Sequence, residues 1–499
     1  MSVSAKVKNT ILNASASSIV ALLTLIATFL ILLFAGSPTD DYQTCNQFVI
    51  FAAIVSYVVM LYHAFRLTES ISFYFLVLLV SFPFYFGKQL LVAFGLNPSR
   101  IYISSTALTV SSTWESSFFI LLSLAFLQLG YCLFAKRRSP DLRARAEQAR
   151  RSRSYYALRK ASMLLVIVLA IPTLVYLLQN IQLTNSVGYG ARVSDAAYRR
   201  SGLANAFGIL GAMMPYALLA AFLTREKGEK WQILATCIYS GLYMMQGSRT
   251  DVFVLALAFA YVWFLCYSNK SAAASLFQMG IALSLLAALF SFGSFARAGF
   301  SDTGTVSDVD GSNILIEAVG EAASTYSVTA KVIEMVPEQI PTANGETYLA
   351  GLLYVLPNGL TGNAYLQSKS VDEVFSTYLT HYGGVGSSFI AEAYFNFGVG
   401  SVVLFFLFGV FIAILQNAVE RSYENGSYGT LFACCASFML ISFYIRSDVR
   451  TFPRYFIWNA LPIIIVQQAI LPRVKAHIEG LEPPEIDLPD SLIYFGGSK

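Results

Sequence analysis

Charge is scarce in this sequence. Only 12% of its 499 residues are Asp, Glu, Lys or Arg, whereas 56% are hydrophobic. Soluble domains carry about 25% charged residues, so the composition excludes a soluble protein and predicts an all-α polytopic membrane protein. The lipid bilayer is therefore the first expected partner.

Signatures of metal and nucleotide binding are also missing. The six cysteines form no C-x-x-C pair and no Cys/His ligand spacing, and the chain has only three histidines. We therefore expect no metal site and no other cofactor. The phosphate-binding pattern G-x-x-x-x-G-K-[ST] is absent, which argues against an ATP-driven pump. Nucleic acid is not expected as a partner.

What the chain does contain is a series of apolar segments long enough to cross about 30 Å of hydrocarbon as helices. The loop 136–160, after the fourth segment, carries ten basic and two acidic residues, which predicts that this loop and both termini are cytoplasmic. A transmembrane domain would cover 1–472, and a cytoplasmic tail would cover 473–499. The twelve expected spans lie near 15–36, 47–66, 73–96, 116–135, 161–183, 203–223, 231–247, 252–268, 275–296, 389–416, 429–446 and 455–472.

This orientation puts eight arginines at the outer ends of spans, where the positive-inside rule disfavours them. An anionic, lipid-linked substrate explains them economically, because the planar guanidinium grips phosphate oxygens with two hydrogen bonds. The alternative is that they anchor in the headgroups or are simply solvated. They are Arg192, Arg199, Arg200, Arg249, Arg297, Arg446, Arg450 and Arg454.

The largest outer segment is a periplasmic loop at 297–388. Its ten acidic and three basic residues are unlike the composition of a cytoplasmic loop. Within it, 313–336 has the apolar spacing of a helix. The run 348–360 is apolar but too short to span, so we expect it in the interface or against the bundle. A segment this long between helices is usually functional.

Two short outer segments concentrate the arginines. The sequence G-S-R-T-D at 247–251 joins two apolar helices with almost no loop, and Asp251 there would cap the second helix. The sequence R-S-D-V-R-T-F-P-R at 446–454 has three arginines at a spacing of four, and Asp448 could neutralise one of them. Both segments are candidate binding sites for a diphosphate.

The most specific pattern is H-Y-G-G-V-G-S-S-F-I-A-E-A-Y-F-N-F-G, from His381 to Gly398. A glycine-rich turn enters an apolar helix with Glu392 and Asn396 on one face, four residues apart. An ionisable residue in a membrane helix is a functional candidate by default. The alternative is a Glu–Arg pair that fixes neighbouring helices. His381, placed outside by the predicted topology, is either a surface residue or a catalytic group.

These features resemble the Wzy-type O-antigen polymerases, also called oligosaccharide repeat-unit polymerases. The resemblance rests on the twelve-span plan with one large outer loop, on the G-[ST]-R hairpin at 247–249, and on the run G-x-S-x-x-A-E-x-Y-x-N-x-G from Gly386 to Gly398. The enterobacterial-common-antigen branch is a looser match. It has a histidine at the place of His381 but lacks the A-E-x-Y-x-N string.

The resemblance implies a GT-C-like glycosyltransferase architecture with its active site on the periplasmic face of the bacterial inner membrane. The growing glycan, linked to undecaprenyl diphosphate, would move onto an incoming lipid-linked repeat unit of O-antigen or a related surface polysaccharide. The outer arginines would bind the leaving diphosphate. Glu392 or His381 would be the general base, with Glu392 preferred for its position, and a Wzz-type chain-length regulator would be a partner. The residues expected to contact sugars are Tyr394, Asn396 and Asp251.

Two other functions stay open at this point. An O-antigen ligase would use the same donor but attach the glycan to lipid A–core. A flippase or other transporter of lipid-linked oligosaccharides would need charged residues near the middle of several spans and discontinuous helices in matched halves. Apart from Lys88, the predicted spans have charges only near their ends, which disfavours transport.

Overall fold

The computed structural model describes residues 3–68, 71–96, 108–136, 152–187, 202–226, 228–248, 250–268, 314–356, 371–378 and 387–478, with the isolated residues 274, 278 and 369. Every regular element in these ranges is helical. The all-α prediction is confirmed for this part of the chain.

We number the helices in chain order. They are α1 (Val3–Ala35), α2 (Tyr42–Thr68), α3 (Phe73–Ala93), α4 (Val110–Phe134), α5 (Arg153–Val187), α6 (Gly202–Gly211), α7 (Met214–Leu223), α8 (Trp231–Met245), α9 (Thr250–Val262), α10 (Ile314–Met335), α11 (Glu346–Leu353), α12 (Val371–Tyr378), α13 (Phe389–Phe397), α14 (Val402–Glu424), α15 (Tyr428–Tyr444), α16 (Thr451–Tyr455) and α17 (Leu461–Ile478). Short π-helical turns follow α9 and α16, and a 3-10 turn joins α13 to α14.

Among the described residues, eight helical segments are long and apolar enough to cross a membrane. They coincide with eight of the twelve predicted spans. The segments Asp251–Tyr267 and Tyr428–Tyr444 are apolar but shorter, and α8 has 15 residues. The predicted span 275–296 lies almost wholly outside the described residues. The structure therefore confirms a multi-pass helical membrane protein, whereas the count of twelve and the orientation stay predictions.

Helices α4 and α14 pack closely against each other through two glycines. A Cβ added at Gly130 would lie 2.1 Å from the Phe406 carbonyl oxygen, and one at Gly409 would lie 2.0 Å from the Leu127 carbonyl oxygen. The two backbones can approach this closely only because neither glycine has a side chain. Small residues at such crossings are typical of membrane helices, where close van der Waals packing drives association.

Helix α10, which belongs to the predicted outer loop, packs against the bundle. Its bounds confirm the helix expected at 313–336. A Cβ on Gly87 of α3 would meet the Val319 side chain at 3.1 Å, so α3 and α10 are in close contact. The buried Lys88 ammonium donates to the Ser327 hydroxyl of α10 at 3.1 Å. The one charge in the middle part of the predicted spans therefore faces this outer-loop helix.

Candidate functional site

Glu392 lies in the first turn of α13 and is almost fully buried, with 1% of its surface exposed. Helix α13 begins at Phe389 because the Ser388 hydroxyl accepts from the Ala391 N–H and caps the N-terminus. The Glu392 Oε1 atom accepts from the Thr347 hydroxyl at 2.9 Å. Its Oε2 accepts from the Tyr444 hydroxyl at 3.0 Å and from the Val449 N–H at 2.8 Å. One carboxylate therefore joins four parts of the fold: α11, α13, α15 and the segment 446–454.

Asn396, one turn further along α13, completes this network. Its side-chain amide donates to the Thr347 hydroxyl and to the Glu392 carbonyl oxygen, both at 2.7 Å. Its Oδ1 accepts from the Gly345 N–H at 2.9 Å. Gly345 has a φ of +89°, a left-handed conformation that favours glycine. The amide thus fixes the turn that starts α11, and the predicted common face of Glu392 and Asn396 is confirmed.

The arginine segment 446–454 is fixed by Asp448, which lies within it, and by Tyr354 at the C-terminal end of α11. Asp448, 2% exposed, accepts from the Arg450 Nε at 2.9 Å and forms an ion pair with its guanidinium. The prediction that Asp448 neutralises one arginine is therefore confirmed. Arg454 donates to the Tyr354 carbonyl oxygen at 3.2 Å, and its guanidinium lies 4.3 Å from the centre of the Tyr354 ring. Arg450 lies 5.7 Å from the same ring.

Helix α11 brings the two motifs together. A Cβ added at Gly351 would lie 2.4 Å from the Val449 side chain, so α11 rests directly on the arginine segment. Four leucines of this helix region are exposed: Leu349, Leu352, Leu353 and Leu356. This pattern fits the expectation of a position at the interface and against the bundle for 348–356, the described part of that run. Partial burial, and the nearby Glu392 carboxylate, raise the pKa of Tyr348, so its phenol stays protonated at neutral pH.

An apolar cavity of about 320 Å³ adjoins this network. Aromatic and aliphatic side chains dominate its lining, and its volume falls in the range of about 300–1,000 Å³ that is common for ligand sites. Two of its wall residues, Val449 and Phe452, alternate with the arginines of 446–454. The remaining lining residues are Tyr348, Phe389, Ala393, Leu404, Phe405, Leu407, Phe408, Phe411 and Tyr444.

Asp251 lies in the first turn of α9, where the helix dipole favours a carboxylate. Its Oδ2 accepts from the Ser248 hydroxyl at 3.0 Å, and the Tyr243 hydroxyl interacts with the same carboxylate. Both Asp251 and Arg454 lie within electrostatic range of the Tyr455 hydroxyl. The 247–251 hairpin and the arginine segment are therefore neighbours, although they are about 200 residues apart in the sequence.

Two further predicted site residues, Tyr394 and Arg446, lie against helices α4 and α3. Tyr394 is buried, with its ring packed edge-on against Phe119 of α4 at 4.8 Å, and therefore faces away from the arginine segment. Arg446 lies 5.9 Å from the ring of Phe84 on α3. Six predicted residues lie outside the described residues, and their roles stay predictions: Arg192, Arg199, Arg200, Arg249, Arg297 and His381.

Sequence reasoning missed several members of this site. Thr347, Tyr444 and Tyr354 carry no local signal, because each acquires its role from a partner far along the chain. In contrast, Tyr239 and Tyr243 lie four residues apart on α8, just before the 247–251 hairpin. Their spacing places them on one helix face and could have indicated an aromatic cluster there.

Residues 16–474 match the family model described as O-antigen polysaccharide polymerase Wzy. No curated protein and no solved structure matches the chain significantly. The family match covers nearly the whole chain, including every helix that forms the site above. The chain belongs to the O-antigen polysaccharide polymerase Wzy family.

Proposed function

We propose that this protein extends O-antigen, or a related surface polysaccharide, by moving the growing glycan from undecaprenyl diphosphate onto an incoming lipid-linked repeat unit at the outer face of the inner membrane. In this step the bond between the anomeric carbon and the diphosphate oxygen breaks. A hydroxyl of the incoming unit forms the new glycosidic bond and gives its proton to a base. Undecaprenyl diphosphate leaves with the electron pair.

The observation that carries this proposal is that one segment, 446–454, contributes both arginines and part of the wall of an apolar cavity. Val449 and Phe452 line the cavity, while Arg450 and Arg454 lie next to them in the same segment. A substrate with a diphosphate head and a polyprenyl tail has this same combination of charge and apolar surface. The cavity would hold isoprenyl units of the tail, and the arginines would hold the head.

The arginines have a chemical task in the transfer itself. Negative charge grows on the diphosphate as its bond to the sugar breaks, and cations that are already in position stabilise that charge. Stacking on Tyr354 and the hydrogen bond to its carbonyl orient Arg454 without neutralising it. In this proposal Arg446, Arg450 and Arg454 form the core of the diphosphate site. The supporting cations are Arg192, Arg199, Arg200, Arg249 and Arg297.

The acceptor hydroxyl also needs a base, for which Glu392 and His381 are the two candidates. The Glu392 carboxylate already accepts three hydrogen bonds from protein groups and is 1% exposed. We therefore propose that Glu392 acts mainly as a positioning residue for the arginine segment, which leaves His381 as the base. Asn396 positions α11 in the same way. Asp251 is the remaining candidate for a sugar contact, because Tyr394 packs on Phe119 and faces away from the arginine segment.

A deletion strain complemented with variants tests the proposal. Without the protein, cells should export single repeat units and attach them, but form no ladder of chain lengths. Arg454→Ala should lower the rate of chain extension by about a hundredfold, as for loss of one charge-stabilising donor. Arg454→Lys should restore it only in part, because the planar fork is lost. Arg421→Ala is the matched control, since this exposed arginine at the end of α14 lies outside the site.

Three outcomes would contradict the proposal. A normal ladder in the Arg454→Ala strain would remove the role of the arginine segment. Absence of all surface repeat units in the deletion strain would indicate a flippase. Polymer that accumulates on undecaprenyl diphosphate without reaching lipid A–core would indicate a ligase.

A further inference from the structure

Four tyrosines from three helices lie close to Asp251, and a fifth, from another helix, lies close to three of them. The carboxylate lies within electrostatic range of the hydroxyls of Tyr216, Tyr239, Tyr243 and Tyr455. The fifth, Tyr176 of α5, lies in range of three of these tyrosines. We call this set, with Asp251, the tyrosine cluster.

The cluster has a buried layer and an accessible layer. Tyr216 and Tyr239 are buried, with 2% and 6% of their surface exposed, and the Asn459 side chain lies near the Tyr216 hydroxyl. The rings of Tyr239 and Tyr243 are 5.4 Å apart. Asp251, Tyr243 and Tyr455 are only half-buried. These three groups are therefore the more exposed members of the tyrosine cluster, next to the buried tyrosines.

Packing alone does not account for this arrangement. A carboxylate and several phenols in an apolar bundle cost free energy unless they are hydrogen-bonded, and leucine or phenylalanine would fill the same space without that cost. Among the described residues, the Asp251 carboxylate interacts with the hydroxyls of Ser248 and Tyr243 and with its own backbone N–H. Polar groups retained at such a site are typical of ligand binding.

The chemistry of the cluster suits a pyranose ring. Phenol rings offer flat apolar surface for the C–H faces of a sugar, and their hydroxyls donate or accept hydrogen bonds. A carboxylate accepts hydrogen bonds from two neighbouring sugar hydroxyls, and such charge-assisted bonds are the stronger kind. An aromatic surface beside a carboxylate is therefore better matched to a neutral sugar than to a phosphate, which the carboxylate would repel.

The location of the cluster selects which sugar it holds. Tyr455 follows Arg454 directly, and its hydroxyl lies in electrostatic range of both Arg454 and Asp251. The first sugar of the glycan is joined directly to the diphosphate, so a sugar subsite beside the arginines proposed to hold the diphosphate would hold that sugar.

We propose that the tyrosine cluster is the binding subsite for the sugar joined directly to the diphosphate of the lipid-linked glycan, with Asp251, Tyr243 and Tyr455 in contact with it. This inference rests on the proposed function, because it assumes that the adjacent arginines hold the diphosphate. It makes the cluster a determinant of which first sugar the protein accepts.

Binding measurements on the purified full-length protein in nanodiscs distinguish the sugar subsite from the diphosphate site. One probe is the undecaprenyl-diphosphate-linked repeat unit extracted from the deletion strain, and the other is undecaprenyl diphosphate without sugar. Tyr243→Phe and Tyr455→Phe should each weaken binding of the glycan-bearing lipid by about tenfold, as expected for a lost hydrogen bond in a charged network. Binding of the sugar-free lipid should not change. Asp251→Asn should act in the same direction.

Tyr74→Phe is the matched control, because it removes the hydroxyl of a buried tyrosine near the N-terminus of α3, outside the tyrosine cluster. Equal binding of the glycan-bearing lipid by wild type and by both tyrosine variants would overturn the subsite. So would equal weakening of both lipids, since that result indicates a general loss of the site. If the wild-type protein bound neither lipid, the proposed function itself would fail, and the two results are thus distinguishable.

Discussion

At the scale of single residues, Glu392 determines the geometry of the site. Its two oxygens receive hydrogen bonds from Thr347, Tyr444 and Val449. Leaving any one of these buried donors without an acceptor would lower the stability of the folded protein by about 1–3 kcal/mol. Glutamine can keep an oxygen towards Val449 and Tyr444, and the Thr347 hydroxyl can turn to accept from the new amide.

We therefore expect Glu392→Gln to retain chain extension within about tenfold of wild type, whereas Glu392→Ala loses it and lowers the melting temperature of the protein. His381→Ala should reduce the rate by about a hundredfold or more with unchanged melting temperature, as expected for loss of a general base. The measurements are ladder formation in cells and thermal unfolding in detergent. If Glu392→Gln were as inactive as Glu392→Ala but melted normally, Glu392 would be the base.

Arg450 is a second residue whose structural and chemical roles can be separated. Removing its side chain leaves the Asp448 carboxylate, 2% exposed, without its ion-pair partner, and breaking a buried pair in this way costs about 3–5 kcal/mol. Arg450→Ala should therefore both unfold more easily and lose activity. Adding Asp448→Asn should recover most of the stability but none of the activity. Recovery of the ladder in the double variant would show that Arg450 serves only to neutralise Asp448.

At the scale of elements, α11 controls the distance between the two motifs. It is hydrogen-bonded to α13 through Thr347 and rests on the arginine segment through Gly351. Helix propensity alone would favour alanine over glycine by about 1 kcal/mol at position 351. The glycine is needed because the Val449 side chain occupies the space of a Cβ.

Gly351→Ala should displace 446–454 and reduce polymerisation, even though it raises the intrinsic stability of α11. The measurement is the ladder at equal amounts of protein in the membrane. Gly241→Ala is the control, since a Cβ there meets nothing within 4 Å and should be harmless. An unchanged ladder in Gly351→Ala would mean that the close approach of α11 is not required.

The same elements show what a sequence can and cannot predict here. Helices such as α3 and α5 follow from long apolar runs, and α10 follows from its apolar spacing. The common face of Glu392 and Asn396 follows from helix periodicity. The hydrogen bond from the Val449 N–H to the Glu392 carboxylate joins residues 57 positions apart, and no local pattern encodes such a contact. The proximity of Asp251 to Tyr216 and Tyr455 depends on tertiary packing in the same way.

For the molecule as a whole, the proposed function depends on which side of the membrane the site faces. The basic loop 136–160 predicts the inner side, and the arginine segment is then outside. Alkaline phosphatase fused after residue 145 should be inactive, and fused after residue 340 it should be active, because the enzyme folds only outside the cytoplasm. Active enzyme at both positions, or inactive enzyme at both, would refute the predicted topology and the outer location of the site.

The proposed transfer reaction can be tested by reconstitution of the purified protein in liposomes with the lipid-linked repeat unit as its one substrate. We predict glycan chains longer than one unit and one molecule of undecaprenyl diphosphate released for each unit added, with both products lost in Arg454→Ala. Polymer that forms without release of undecaprenyl diphosphate, or that requires an added nucleotide sugar, would contradict the account.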